Sequence, residues 1–250
     1  MKISYLRGIA VTVIAAVFAI AASSVPVLAA TPAPTISAVG RLVTHTKQPA
    51  KTTEGMTVAP GAVGDVLLLA IETKYPGTPA IAGTGVAGGG VSTWNKVLSY
   101  ASRDGLHGQE LWWGVVTSTG SKTLTASFNS AATKGNSESA TSLDVQEFRS
   151  SRGAATVWSI DGSGKVDTGV ATKSPTYPTL TPSSGTDAYF GYLAVNGPDR
   201  PGSTPGVVYQ IDARGNEVAY AVSVSTSITP QGKSNSRLTF SSSGMLLKAR

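Results

Sequence analysis

One segment in the last third of the chain alternates two kinds of side chain over twelve residues, from Glu217 to Ile228. Its even-numbered positions carry Val, Tyr, Val, Val, Thr and Ile, whereas its odd-numbered positions carry Glu, two Ala and three Ser. A helix would not tolerate so long an alternation of β-branched residues, and period two is the repeat of a strand. The pattern therefore predicts one strand that points Val218, Tyr220, Val222 and Val224 into a core.

Other segments also have the sequence patterns of strands. Residues 66–71 are apolar on both parities, which predicts a central strand covered on both faces, and Ile36 to Thr46 reads as a further strand. Leu124, Ala126 and Phe128 alternate with hydroxyl-bearing residues, as in a strand with one buried face. With 28 Gly and 14 Pro to form turns, the chain is predicted to be all-β, a two-sheet antiparallel β-sandwich.

The first 29 residues have the composition of a signal peptide. Lys2 and Arg7 form a basic start, an apolar run covers 9–22, and Val27 to Ala29 offers small residues for cleavage. The run is shorter than the ~20 residues needed to span a bilayer. We therefore expect residues 1–29 to be a signal peptide, 30–35 a Pro-rich spacer and 36–250 a single sandwich domain. The mature protein is expected to be extracellular or at the cell surface, without a membrane span.

Composition narrows the classes of partner. The chain has no cysteine, so disulfides do not hold it together. Its net charge of +6 includes two positive charges in the first 29 residues, and the rest are spread along the chain. Because no Lys/Arg cluster has interleaved aromatics, nucleic-acid binding is not expected; a loose preference for anionic surfaces is the most this charge supports.

Five short motifs carry a resemblance to a known group. They are Gly64 to Ala70, Trp94 to Val97, Glu110 to Trp113, Lys122 to Phe128 and Asp144 to Phe148. In this order they resemble uncharacterised bacterial secreted jelly-roll domains similar to the concanavalin A-like lectin/glucanase fold. The resemblance covers about residues 60–230. It implies a jelly-roll sandwich on an exported protein, and it supplies no catalytic residue.

A pair of carboxylates is the enzyme feature that such a fold would use. Lectin-like glucanases place acids on one strand in the pattern Glu-x-Asp-x-x-Glu, and Asp144 and Glu147 match its second and third positions. Ser142 stands where the first carboxylate would be, whereas retaining hydrolysis needs a second acid ~5 Å away. We therefore expect no catalytic residue and keep Asp144 and Glu147 as candidate ligand contacts.

Aromatic residues provide the other candidate. Within Glu110 to Val115, Leu111 and Trp113 share one parity while Glu110 and Trp112 share the other. One indole should therefore lie in the core, and Trp112 should face outward or into a second layer. An indole beside a carboxylate on a polar face is a stacking platform for a sugar ring. Burial of Trp112 under a loop is the alternative.

Metal and cofactor signals are weak. The only two histidines, His45 and His107, are expected at the surface or at a strand edge, and no spacing indicates a metal site. Loop oxygens near Asp161, Asp199 or Asp212 could hold calcium, but no loop has the dense acidic spacing of a dedicated site. Gly83 to Gly88 matches a dinucleotide fingerprint, yet a turn and a strand follow it instead of a helix. No cofactor is expected.

Three functions remain. The leading one is a non-catalytic secreted or surface module for recognition, with Trp112, Glu110, Asp144 and Glu147 contacting a polysaccharide or another surface polymer. The second is a structural subunit of an extracellular filament or coat, self-assembled through a donated strand from the segment 31–46. The third is a divergent secreted glycosidase.

Overall fold

The computed structural model describes residues 32–74, 83–128, 139–195 and 200–250. The expected signal peptide lies outside these residues. Within them the chain forms thirteen strands and one short 3₁₀ turn, Gly153–Ala155. The strands are β1 Ile36–Lys47, β2 Thr53–Val58, β3 Val66–Lys74, β4 Gly83–Gly88, β5 Asn95–Ala101, β6 His107–Val115, β7 Lys122–Phe128, β8 Ala140–Ser150, β9 Trp158–Val166, β10 Asp187–Val195, β11 Val208–Ile211, β12 Glu217–Val224 and β13 Phe240–Ala249. No helix among the described residues has the length and apolar character needed to cross a membrane.

The central sheet has the strand order β1-β8-β3-β6-β5. Its middle strand β3 is the run that is apolar on both parities, and residues 66–71 are fully buried. Leu68 and Ala70 point to one side of the sheet, whereas Leu67 and Leu69 point to the other. The predicted central strand, covered on both faces, is therefore confirmed.

The C-terminal sheet, with the order β11-β12-β10-β13-β9, packs on the first of these faces. Phe190, Val218 and Met245 from this sheet meet Leu68 of the central sheet in one apolar cluster. Phe148 of β8 and Tyr220 of β12 are in edge-to-face contact across it, with ring centroids 5.8 Å apart. The paired strands are antiparallel, so the predicted all-β antiparallel sandwich is confirmed.

A small sheet, β2-β7-β4, adds a third layer on the other face of the central sheet. Leu124, Ala126 and Phe128 of β7 are buried there, as the alternation predicts, against Leu67 and Leu69 of β3. This layer completes the burial of β3, because a strand with apolar side chains on both faces needs a partner on each side.

Irregular chain covers the outer face of the C-terminal sheet. Isolated bridges join Thr172 to Leu238 and Leu180 to Ile228 across this cover. Beneath it the neighbouring residues Gly191 and Gly244 leave room for aromatic rings. A Cβ on Gly244 would stand 2.5 Å from the hydroxyl oxygen of Tyr189, which real structures do not show. Glycine is therefore required where the ring of Tyr189 crosses the sheet.

Strand β12 corrects one sequence prediction. Val218 and Tyr220 are buried as expected, but β12 ends at Val224 and Val222 is 38% exposed. The pairing with β10 shifts register here, and Ser223 has a φ of 60°, in the left-handed region. This bulge breaks the period of two, so Val224 packs under the outer cover instead of between the large sheets.

Irregularities also mark the sheet edges. The register shifts in β1 between Val39 and Val43, in β5 between Lys96 and Leu98, and in β4 between Gly83 and Gly85. In β9 the shift leaves Asp161 as the extra residue, and the edge strand β11 has only four residues. Five of the six edge strands in the described part of the chain are thus bulged or very short.

Candidate functional site

The four predicted contact residues do not form one site. Strand β8 pairs with β3 in an unbroken register, so Asp144 and Glu147, three residues apart, point to opposite faces. Glu110 and Trp112 lie on β6 and point to the side of the small sheet, whereas Asp144 points to the C-terminal sheet. The glucanase-like pattern therefore brings no pair of carboxylates together on β8.

Trp112 does not provide an exposed platform. Its side chain is 7% exposed and packs in the core between the central and small sheets. The Nζ atom of Lys96 lies 4.9 Å from the centre of its ring. The parity argument holds in one respect, since Trp113 packs on the opposite face with Leu111. The small sheet is the second layer that was the alternative to exposure, and it covers Trp112. The prediction of a sugar-stacking platform is therefore corrected, because the face of this ring is not exposed.

Glu110 holds this region together. Its Oε1 accepts hydrogen bonds from Lys96 Nζ at 2.6 Å and from Ser99 Oγ at 3.0 Å. Its Oε2 accepts from Trp112 Nε1 at 2.8 Å. With both oxygens engaged and the side chain buried, Glu110 compensates Lys96 and fixes the indole, and it offers no free acceptor to a ligand.

Asp144 lies between the two large sheets, fully buried. Burial raises the pKa of its carboxyl well above the usual range, and the nearby carboxylates of Asp212 and Glu72 raise it further. Neither oxygen has a hydrogen-bond partner that meets normal geometry. The surroundings of Asp144 therefore favour its protonated form, and solvent and ligands do not reach it.

A buried contact between a histidine and a carboxyl group lies nearby, and it corrects the expectation for His107. This histidine is buried, and its Nδ1 is 2.6 Å from Glu72 Oε1. Asn216 Nδ2 donates to the other oxygen of Glu72 at 2.8 Å and to Asp212 at 2.9 Å. Burial acts to raise the pKa of Glu72, but the hydrogen bond and charge of His107 outweigh it and leave that pKa lowered. His45, by contrast, is partly exposed.

Glu147 is the one predicted residue that opens to solvent. It lies on a recess of about 180 Å³ between the bulge of β1 and the segment that joins β2 to β3. The walls include Val39, Val43 and Ala59, and Arg41 stands on the bulge. We call this feature the Glu147 recess. It combines an apolar lining with one carboxyl and one guanidinium, the composition expected of a small ligand-binding site.

Hydrogen bonds with neighbouring residues fix the position of the Glu147 carboxyl. Gly61 N donates to Glu147 Oε1 at 2.9 Å, and a Cβ on Gly61 would stand 2.9 Å from Arg149 Nη2. Arg149 holds the buried Asp65 with two forked hydrogen bonds, Nε to Oδ1 at 3.0 Å and Nη2 to Oδ2 at 2.7 Å. Burial and a hydrogen bond to the Asp65 carboxylate raise the pKa of Glu147 to about 7. Near neutral pH this carboxyl therefore both donates and accepts hydrogen bonds.

No protein-family model, curated protein or solved structure matches this chain. The resemblance to secreted jelly-roll domains therefore stays a prediction. Any function has to be argued from the residues themselves.

Metal binding finds no support in the part of the chain that the structure describes, where no three His, Asp or Glu side chains are grouped for an ion. Of the calcium candidates, Asp212 accepts backbone hydrogen bonds from Arg214 and Asn216, and Asp161 accepts from Ser183. Asp199 lies outside the described residues.

Sequence reasoning missed Asp65 and Arg149 as partners of Glu147, and Arg41 as a further residue lining the recess. One signal was present, because Glu147 and Arg149 share a parity on β8 and must point to the same face. Arg41 gave no such signal, since its orientation depends on a bulge in β1 that the sequence pattern does not reveal.

Proposed function

We propose that this chain is a secreted, non-catalytic recognition module that binds an extracellular polysaccharide or another surface polymer in the Glu147 recess. The observation that carries the proposal is the carboxyl of Glu147 on an apolar, solvent-open recess of the sandwich, where burial and Asp65 raise its pKa to about 7. Carbohydrate hydroxyls donate hydrogen bonds, and the acceptor positions of the Glu147 carboxyl that Gly61 does not use can receive them. The apolar walls suit the C–H faces of a sugar.

The number of carboxyl groups in the Glu147 recess favours binding over hydrolysis. Glu147 is the only acid among the residues that line this recess. Asp65 is buried, and Arg149 engages both of its oxygens, so it cannot serve as the second catalytic carboxyl. A glycosidase of either stereochemical type uses two carboxyls that both reach the sugar. The glycosidase alternative therefore has less support than recognition.

The filament alternative also has less support. The segment expected to act as a donated strand forms β1, which pairs with β8 of its own chain from Ile36 to Lys47. The bulge at Gly40 to Leu42 interrupts its free edge, and Arg41 stands within that bulge. Bulges and charged residues at an edge hinder the addition of further strands.

A sedimentation assay with insoluble polymers tests recognition. Wild-type protein is mixed with purified cell walls, cellulose and chitin, and the bound fraction is measured for two variants. Ala59→Trp places an indole on an exposed wall and blocks the recess, and Arg41→Ala removes the guanidinium at the bulge. Arg237→Ala, an exposed arginine outside the recess, is the matched control.

We expect at least one polymer to retain the wild type and the control, with at least about tenfold weaker binding for Ala59→Trp. Arg41→Ala should reduce binding several-fold. Equal binding of wild type and Ala59→Trp to every polymer, with unchanged thermal melting, would refute the recess as the site. Export is tested separately, by N-terminal sequencing of protein from the medium. The mature protein is expected to begin at Ala30 or Thr31.

A further inference from the structure

A second cavity lies at the end of the sandwich where the C-terminal strand finishes. It has a volume of about 260 Å³ and is bordered by the spacer residues Ala33 and Pro34, the turn after β8, the turn before β10 and the end of β13. Its lining contains Arg152, Lys248 and Arg250 and no acidic side chain. We call it the C-terminal cavity.

Lys248 is built into the wall of this cavity. Its side chain is almost fully buried, and its Nζ lies 2.9 Å from Asp161 Oδ2 and donates to Ser183 Oγ at 2.9 Å. Asp187 Oδ1 is 3.8 Å away, beyond hydrogen-bond distance. An ammonium has three donors, and the contacts with Asp161 and Ser183 use two of them. A buried ammonium in the wall of a cavity that has no acidic side chain in its lining is the feature that points to a ligand.

Two arginines complete the set of donors. Arg152 and Arg250 are exposed and come from different elements, the turn after β8 and the end of β13. Ser184 and Thr186 contribute hydroxyls from the turn before β10, where Gly185 has a φ of +75°. Donors thus approach the cavity from three sides. The carboxylates that compensate Lys248 stand behind it, outside the lining.

This arrangement suits an anion with several acceptor oxygens. Guanidinium groups form forked hydrogen bonds with phosphate, and an ammonium adds a point charge. A planar carboxylate has only two oxygens to offer to three cations, whereas a phosphate group presents three or four. We infer that the C-terminal cavity binds a phosphate group, either free phosphate or the phosphate of a surface polymer. This site is independent of the Glu147 recess.

Two probes test the inference at constant ionic strength, which separates site binding from general charge attraction. Inorganic phosphate and a short, soluble poly(glycerol phosphate) are titrated into the purified protein, and the backbone amide NMR signals are followed. The test variant is Arg152→Gln with Arg250→Gln, in which both exposed guanidiniums are removed without changing a buried side chain. The control, Arg237→Gln with Arg103→Gln, removes two exposed positive charges outside the cavity lining.

We expect phosphate to shift the amide signals of Ser184, Gly185 and Thr186, and affinity to fall at least about tenfold in the test variant but less than about twofold in the control. Tighter binding of the polymer than of inorganic phosphate, through the same signals, identifies a polymer phosphate as the ligand. The reverse order identifies free phosphate. Equal losses in the test and control variants, or no shift at these three residues, would overturn the inference.

Discussion

The raised pKa of Glu147 predicts how stability depends on pH. In the fold the pKa of this carboxyl is about 7, because burial and the Asp65 carboxylate disfavour its ionised form, whereas its ordinary value is 4.5. Folding therefore favours the protonated form. The stability that this group contributes is complete below about pH 4.5 and is lost as the pH rises through about 7.

The magnitude follows from that difference in pKa. At ~1.4 kcal/mol for each pH unit the full effect would be about 3 kcal/mol. Because the side chain is partly exposed and solvent screens its charge, we expect about 1–2 kcal/mol between pH 5 and pH 8. Asp187, whose pKa burial and Asp161 raise to about 7, and the buried Asp144 act in the same direction. Wild-type protein should thus melt at a lower temperature at pH 8 than at pH 5.

Glu147→Gln isolates the contribution of this one group. The amide stays neutral at every pH, accepts the hydrogen bond from Gly61 and donates to Asp65. At pH 8 the variant should be about 1–2 kcal/mol more stable than wild type, a rise in Tm of about 2–8 °C for a domain of this size. At pH 5 the two proteins should differ little.

Differential scanning calorimetry at both pH values measures this effect. Asp104→Asn, which changes an exposed acid in the turn before β6, is the control and should keep the wild-type pH dependence. The reasoning fails if Glu147→Gln shows the same fall in Tm from pH 5 to pH 8 as wild type. In that case Glu147 ionises freely in the folded protein.

Four further substitutions test the fold. Val218→Asp should unfold the domain or cost several kcal/mol, because it buries an unpaired carboxylate, whereas Val222→Asp on the exposed bulge should change stability by less than about 1 kcal/mol in urea unfolding. Trp112→Ala should cost about 3–5 kcal/mol by the same assay, and a near-neutral result would contradict its burial. Gly244→Ala should cost about 1–3 kcal/mol in thermal melts, because the new Cβ displaces Tyr189; an unchanged Tm would mean that the ring moves freely.

The sequence predicts the layers of this fold better than their irregularities. Period two and the doubly apolar run at β3 were sufficient for an all-β sandwich, because burial selects apolar side chains at every core position. Val222 was placed wrongly because it lies in the bulge with Ser223, where the strand pairing is interrupted and the side chain leaves the core. No local sequence pattern predicts such a bulge, because it depends on the pairing of β12 with β10.

The candidate site shows the same limit. The sequence singled out Glu147, yet it grouped this residue with Asp144, which the unbroken register of β8 turns to the opposite face. It also predicted that His107 lies at the surface or at a strand edge, whereas His107 is buried in contact with Glu72 on β3. Period two alone places Asp144 and Glu147 on opposite faces of a strand, so the sequence was sufficient to separate them. The burial of His107 depends on a partner distant in the chain, which side-chain periodicity within one segment cannot identify.

The irregular edge strands reduce the risk that copies of this protein aggregate while they fold. A chain that we propose to be exported folds outside the cell, where neighbouring copies meet before folding is complete. Regular strand edges would let one molecule extend the sheet of the next, whereas the bulges in β1, β4, β5 and β9 and the short β11 offer no continuous row of backbone groups. Straightening one edge, by deleting Thr84 from the bulge of β4, should therefore make refolding yield fall steeply with protein concentration while the folded protein stays soluble.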